Sequence, residues 1–200
     1  MNVQVKSSNG ISLVPVETRL LADRKIFIEG EINEETACEF MKKVMYLNSE
    51  NREKNIDLLI NSPGGEINAG MLMYDVIQSS NAPIRTFCIG KAYSMGAVLF
   101  ACGNHGRYML PHSELMIHEP LISSRIGGSA SSIKSISDSL IETKRKMNRI
   151  LAKHTGKTED EIEIATNFDH YLTPEESIGF GLCDKIVDFN MIMEGWYDGG

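Results

Sequence analysis

A chain of 200 residues, 42% hydrophobic and 24% charged, has the length and composition of a soluble protein with one domain, with or without an appendage. Its 27 acidic residues against 20 lysines and arginines give a formal net charge of -7, and the densest cationic stretch (Lys144, Arg145, Lys146, Arg149) lies beside Glu142 and reads as a solvated helix face, so neither nucleic acid nor a membrane is expected as a partner. The N-terminus MNVQVKSSNG lacks the apolar core of a secretion signal, and the longest apolar stretch, 95–102, is too short to cross a bilayer, so a cytoplasmic location is expected.

Residues 1–20 alternate weakly around Gly10 and Pro15 and read as an axial arm or hairpin ahead of a domain at 21–189. Short runs rich in β-branched and aromatic residues predict strands at 25–29, 56–61, 84–90, 107–110, 114–118 and 182–187. Helical periods fall between them. Ala37, Phe40, Met41, Val44 and Leu47 share one face of a helix that Asn33 would cap. A second helix is predicted at about 68–78 and a short, wholly buried one at 95–101. The longest runs from Ser129 to His154, with Ile133, Ile136, Leu140, Met147 and Leu151 in a stripe and Thr155-Gly156 at its end. Strands alternating with helices predict an α/β fold with mostly parallel pairing. The stretch 123–132 and the tail 190–200 read as loosely ordered. The four cysteines (Cys38, Cys88, Cys102, Cys183) have neither C-x-x-C nor zinc-ligand spacing and read as buried reduced thiols.

Four segments carry candidate chemistry. Asn61-Ser62-Pro63-Gly64-Gly65 follows a strand and precedes a helix, so its glycines can turn backbone N–H groups outward into an anion-binding nest; a tight turn accounts for it equally well. Ser94, in Gly90-Lys91-Ala92-Tyr93-Ser94-Met95-Gly96-Ala97, stands at a strand-to-helix junction where the following N–H can hold an oxyanion. Ala92 departs from the first glycine of the G-x-S-x-G elbow, and read on spacing alone Ser94 is a helix cap. His118 ends the apolar run Glu114-Leu115-Met116-Ile117, a rigid mount for a base, while His105, His112, His154 and His170 have weaker settings. Asp169 lies in Asn167-Phe168-Asp169-His170, and nothing local distinguishes it from the other acids.

In order and spacing, I-N-S-P-G-G, G-x-A-x-S-M-G-A, M-I-H-x-P and D-x-x-L-T resemble the Clp protease proteolytic subunit, from the arm to about Val187. The resemblance implies a crotonase-related spiral of β-β-α repeats with a protruding handle at about 123–154. It implies a serine endopeptidase with Ser94 as nucleophile, His118 as base and Asp169 as its orienter. Gly65 and Met95 would supply the oxyanion-hole N–H groups, and Ile67 and Leu121 would flank an extended polypeptide substrate. It further implies self-association into two stacked seven-membered rings, possibly with a paralogous subunit. A ring-shaped AAA+ unfoldase would feed them. No cofactor is implied, and ATP would be used by that partner alone.

Several positions depart from the family pattern. Tyr93 stands where alanine is usual, a bulky ring that could narrow the pocket while leaving Ser94 able to act. Asn167 and Phe168 replace an acid–Arg pair that joins the two rings. Asp57, Leu59 and Ser79 replace aromatic residues of the unfoldase-docking pocket, where a bare carboxylate would oppose docking. The arm reads Ser8-Asn9-Gly10-Ile11 in place of a charged turn. These departures favour a second reading, a structural or regulatory ring subunit that cuts little by itself, and the intact Ser94, His118 and Asp169 oppose it. A crotonase-like acyl-CoA enzyme would leave the serine and histidine segments without a role.

Overall fold

A computed structural model of the chain describes residues 1–7, 10–122 and 127–193. The arm turn at Ser8-Asn9, the first part of the expected handle (123–126) and the tail from Glu194 lie outside the described residues. The chain opens with an antiparallel hairpin of β1 (Asn2–Ser7) and β2 (Gly10–Pro15), followed by α1 (Val16–Ala22), which spans the expected limit of the arm at residue 20.

The body alternates parallel strands and helices: β3 (Lys25–Ile32), α2 (Glu34–Glu50), β4 (Ile56–Gly65), α3 (Ile67–Ser79), β5 (Ile84–Tyr93) and α4 (Met95–Ala101). Then come β6 (Arg107–Met109), β7 (Glu114–Ile117), α5 (Ala130–Thr155), α6 (Glu159–Thr166), β8 (His170–Leu172), α7 (Pro174–Phe180), β9 (Lys185–Ile186) and α8 (Phe189–Met193). The sheet runs β3-β4-β5-β6-β9, with β7 branching from β5 and β8 antiparallel on β7. This is the expected α/β architecture. The larger core cluster lies between the sheet and α2, α3 and α4, around Ile26, Leu58, Ile60, Ile84, Leu99 and Phe100. Helix α4 is buried along its whole length, as its unbroken apolar sequence requires.

Local signals act where the sequence places them. Asn33 accepts from Thr36 N while Thr36 Oγ1 accepts from Asn33 N, a complete capping box on α2. Gly156, at φ 73°, ends α5 in the left-handed region. The strand expected over 182–187 shrinks to Lys185–Ile186. The N–H groups of Leu182 and Cys183 donate to Ser177 O at the end of α7, so they are lost to the ladder. Cys88, Cys102 and Cys183 are buried, but Cys38 is half-exposed, contrary to expectation. Burial pushes the Cys88 and Cys183 thiols up to about 11.

Helix α5 extends about 39 Å at 1.5 Å per residue. Its first ten residues, 130–139, are exposed, while Met147, Asn148, Ile150 and Leu151 anchor the other end. The predicted apolar stripe is therefore split, with Ile133 and Ile136 outside the core. Lys144 is not on a solvated face as expected: it pairs with Glu119 at 2.8 Å and Glu163 at 3.2 Å.

Asp57 also differs from expectation. Its carboxylate is not bare but buried and held bidentately by Arg85 at 2.7 and 3.0 Å, next to the cluster of Leu59, Phe87, Val187 and Ile192. Ser79 is exposed at the end of α3. Removing one partner of such a pair strands the other charge in the interior. Asp57→Ala should thus destabilise the chain by about 3–5 kcal/mol, and joint replacement of Asp57 and Arg85 by Leu and Met should recover most of it, as read by urea denaturation.

At the far end of α5, Tyr74 Oη lies 3.1 Å from His154 Nε2, and burial holds His154 down to about 4, against 6.5 for a free imidazole. The unfolded chain therefore binds this proton first. The stability His154 contributes is complete above pH 6.5 and is lost as pH falls toward 4. His154→Gln should flatten the fall in denaturation midpoint between those pH values; a variant with the wild-type slope would contradict this.

Candidate active site

Strand β5 runs through the centre of the sheet and delivers Ser94 at its C-terminal end, directly before the buried α4. Ser94 adopts φ 54° and ψ -119°, a conformation rare for a residue with a side chain. Ser94 holds the N-cap position of α4, where its carbonyl accepts from Val98 N, but its backbone is not the extended one of an ordinary cap and its hydroxyl makes no capping hydrogen bond, so side-chain capping does not account for it. Its N–H donates to Met116 O of β7 at 2.8 Å, which fixes the turn.

The Ser62-Pro63-Gly64-Gly65 segment is not a simple turn between strand and helix. It prolongs β4 after a register shift at Ile60/Ser62. A Cβ on Gly64 would fall 2.7 Å from Tyr93 O, 2.9 Å from Ser94 Cβ and 3.0 Å from Met95 N, so only glycine lets this backbone lie against the serine junction. Ser62 Oγ donates to Gly30 O at 2.5 Å and accepts from Gly64 N at 3.1 Å, pinning the approach from below.

His118 follows the last residue of β7, whose ladder with β5 and β8 sets its direction. The next residue is tied down twice: Glu119 N–H donates to Thr166 O at 2.8 Å, and the Glu119 carboxylate pairs with Lys144. Its neighbouring carboxylates, Glu119 first, raise the Lys144 ammonium above its ordinary range, so this brace stays charged. Asp169 precedes β8, where Ile117 faces His170. The fold thus brings together three residues separated by 24 and 51 positions: His118 Nε2 lies 2.8 Å from Ser94 Oγ, and Nδ1 lies 3.1 Å from Asp169 Oδ1. The His118 side chain is 15% exposed and that of Asp169 is 55% exposed.

The other histidines take no part. His154 pairs with Tyr74, and the His170 ring meets Phe180 edge-on at 5.7 Å. A cleft of about 930 Å³ opens over Ser94 and His118, with Gly65, Ile67 and Leu121 on its wall beside Ile136 and Leu140 of α5. Beneath it a recess of about 30 Å³ is lined by Met95, Val98, Ile117, Met147 and Leu151. Tyr93 does not narrow this space: its ring lines neither cavity and turns instead toward Glu114 and Tyr171. The contribution of α5 to both cavities was missed in the sequence, because its apolar stripe looks the same whether it covers a core or lines a cleft.

A serine hydroxyl on an imidazole whose far nitrogen meets a carboxylate is an arrangement suited to nucleophilic acyl transfer. The family model described as Clp protease matches residues 8–190. The chain belongs to the Clp protease family.

Proposed function

We propose that the chain is a serine endopeptidase that hydrolyses unfolded polypeptides and short peptides. The observation that carries this reading is the line Ser94 Oγ–His118–Asp169, with contacts of 2.8 and 3.1 Å. His118 Nε2 takes the Ser94 proton as Oγ attacks the scissile carbonyl, and Asp169 holds the other ring nitrogen protonated and offsets the imidazolium charge. The oxyanion would face the N–H groups of Gly65 and Met95, the second at the first turn of α4. His118 then gives its proton to the leaving amine. A water repeats the sequence on the acyl-enzyme and releases Ser94. Ile67 and Leu121 would flank the extended substrate, and the recess beside Ser94 suits an apolar side chain.

Assembly into stacked rings belongs to the same proposal. Exposed apolar residues support it: Ile133, Ile136 and Ile141 on α5, and Ile164 and Phe168 beside it, the last 85% exposed. An ATP-driven unfoldase would feed the rings, and the chain itself would use no cofactor.

Ser94→Ala should lower the turnover of a fluorogenic peptide by on the order of a million-fold, with His118→Ala nearly as severe and Asp169→Ala about ten-thousand-fold. Substitution of His105, His112 or His170 should leave turnover close to wild type. Hydrolysis by the Ser94→Ala protein at the wild-type rate would overturn the assignment. Analytical ultracentrifugation over a concentration series should show rings, with weak ring–ring contact that Phe168→Arg with Asn167→Asp strengthens. A chain that stays monomeric at high concentration would contradict the assembly.

A further inference from the structure

We infer that Tyr93 is a positioning residue that clamps the strand ending at Ser94 to the strands that carry His118 and Asp169. The inference rests on the peptidase reading for its kinetic consequence, and on geometry alone for the clamp. Strands β5, β7 and β8 lie side by side, with Tyr93 facing Met116 and Met116 facing Tyr171. On one face of this ladder the Tyr93 hydroxyl donates to Glu114 Oε1, at the start of β7. On the same face its ring meets Tyr171 of β8 edge-to-face, with centroids 5.6 Å apart at 87°. Lys91 Nζ closes the cluster from the other side, 5.5 Å from the Tyr93 centroid. One side chain adjacent to the nucleophile therefore touches the strand before the base and the strand after the acid.

The weakest part of the site is the part Tyr93 reaches. Among the described residues β8 is three residues long and pairs with β7 alone. Asp169, just before it, is the most exposed of the three site side chains at 55%, against 15% for His118. A short edge strand held by three residue pairs has little to fix its tilt. The ring of Tyr93 against Tyr171 supplies a side-chain contact that does. The Glu114 carboxylate also pushes the Tyr93 phenol up to about 12, so the hydroxyl remains a donor throughout the neutral range. Since Tyr93 does not line the cleft, its loss should alter the alignment of the reacting groups and leave substrate contacts in place.

The test uses the full chain and a fluorogenic peptide with an apolar residue before the scissile bond. Tyr93→Ala should lower kcat by about 10–100-fold, the scale of an ångström of misplacement, with KM within about twofold. Tyr93→Phe keeps the ring and should retain kcat within about threefold. Tyr171→Ala, at a half-exposed site that cannot unfold the core, should reproduce most of the loss, and the Tyr93→Ala/Tyr171→Ala double variant should be no worse than Tyr93→Ala. Unchanged kcat in Tyr171→Ala overturns the inference even if Tyr93→Ala fails to fold. A raised KM with unchanged kcat in Tyr93→Ala also overturns it, in favour of a pocket wall. Ser94→Ala is run alongside. If it cuts like wild type, or if wild type cuts nothing, the peptidase reading fails, and hydrogen exchange of the 168–172 segment judges the clamp by itself: faster exchange in Tyr171→Ala than in wild type supports it, and unchanged exchange overturns it.

Discussion

The structure depends on one close approach, that of the Gly64 backbone to the junction of β5 and α4. Parallel pairing brings the ends of β4 and β5 together, and the register shift at Ile60/Ser62 lets β4 run on until Gly64 lies against Tyr93 O, Ser94 Cβ and Met95 N. Ser94 is then held between that backbone and its own hydrogen bond to Met116 O. A side-chain-bearing residue at φ 54° costs roughly 1–3 kcal/mol and persists only where its surroundings leave it no alternative. Here both surroundings are backbone, so the strain is maintained without relying on mobile side chains. Its effect is to lift the hydroxyl off the first turn of α4 and aim it at His118.

Around this rigid point the remaining groups are mounted on progressively lighter supports. Ser94 rides on the central strand of the sheet. His118 stands at the end of a four-residue strand, and Asp169 precedes one of three residues. The lighter supports are braced by polar contacts reaching across elements: Glu119 to Lys144 and Thr166 on one side, Tyr93 to Glu114 and Tyr171 on the other. Lys144 also reaches Glu163 of α6 and Asn167, so one ammonium links the segment after His118 to the segment before Asp169. Among the described residues, every buried side-chain nitrogen and oxygen has a hydrogen-bond partner, and this satisfaction is what makes such a polar network rigid.

Asp57 shows how a charge changes meaning when its partner is known. A lone carboxylate among apolar residues would repel an apolar ligand. Joined to Arg85 by two hydrogen bonds, it presents a neutral, planar pair whose guanidinium lies 5.7 Å from the Phe87 ring centroid, and Phe87 stacks in turn on Tyr108. Leu59 and Phe87 are buried along with the pair, so Asp57 is a compensated charge of the interior and not a bare carboxylate.

The sequence by itself determined the order of the main strands and helices, the buried α4, and the caps at Asn33 and Gly156. These depend on interactions within a few residues, namely apolar period, capping chemistry and the freedom of glycine. It also singled out Ser94, His118 and Asp169 through the order and spacing of four motifs, although each residue alone has an ordinary local explanation, and the fold brings the three together. Tertiary structure decided whatever depends on a partner far along the chain. The strand expected at Leu182–Val187 was cut short by the end of α7. The face of α5 was divided between solvent, cleft and core. Asp57 and Lys144 found their counter-charges 28 and 25 or fewer residues away, and Tyr93 turned toward Glu114 and Tyr171 instead of the cleft over Ser94. The physical reason is the same in each case: a local pattern fixes the conformation of a segment, whereas the meaning of a charge, a ring or an apolar stripe is set by what the packed chain brings against it.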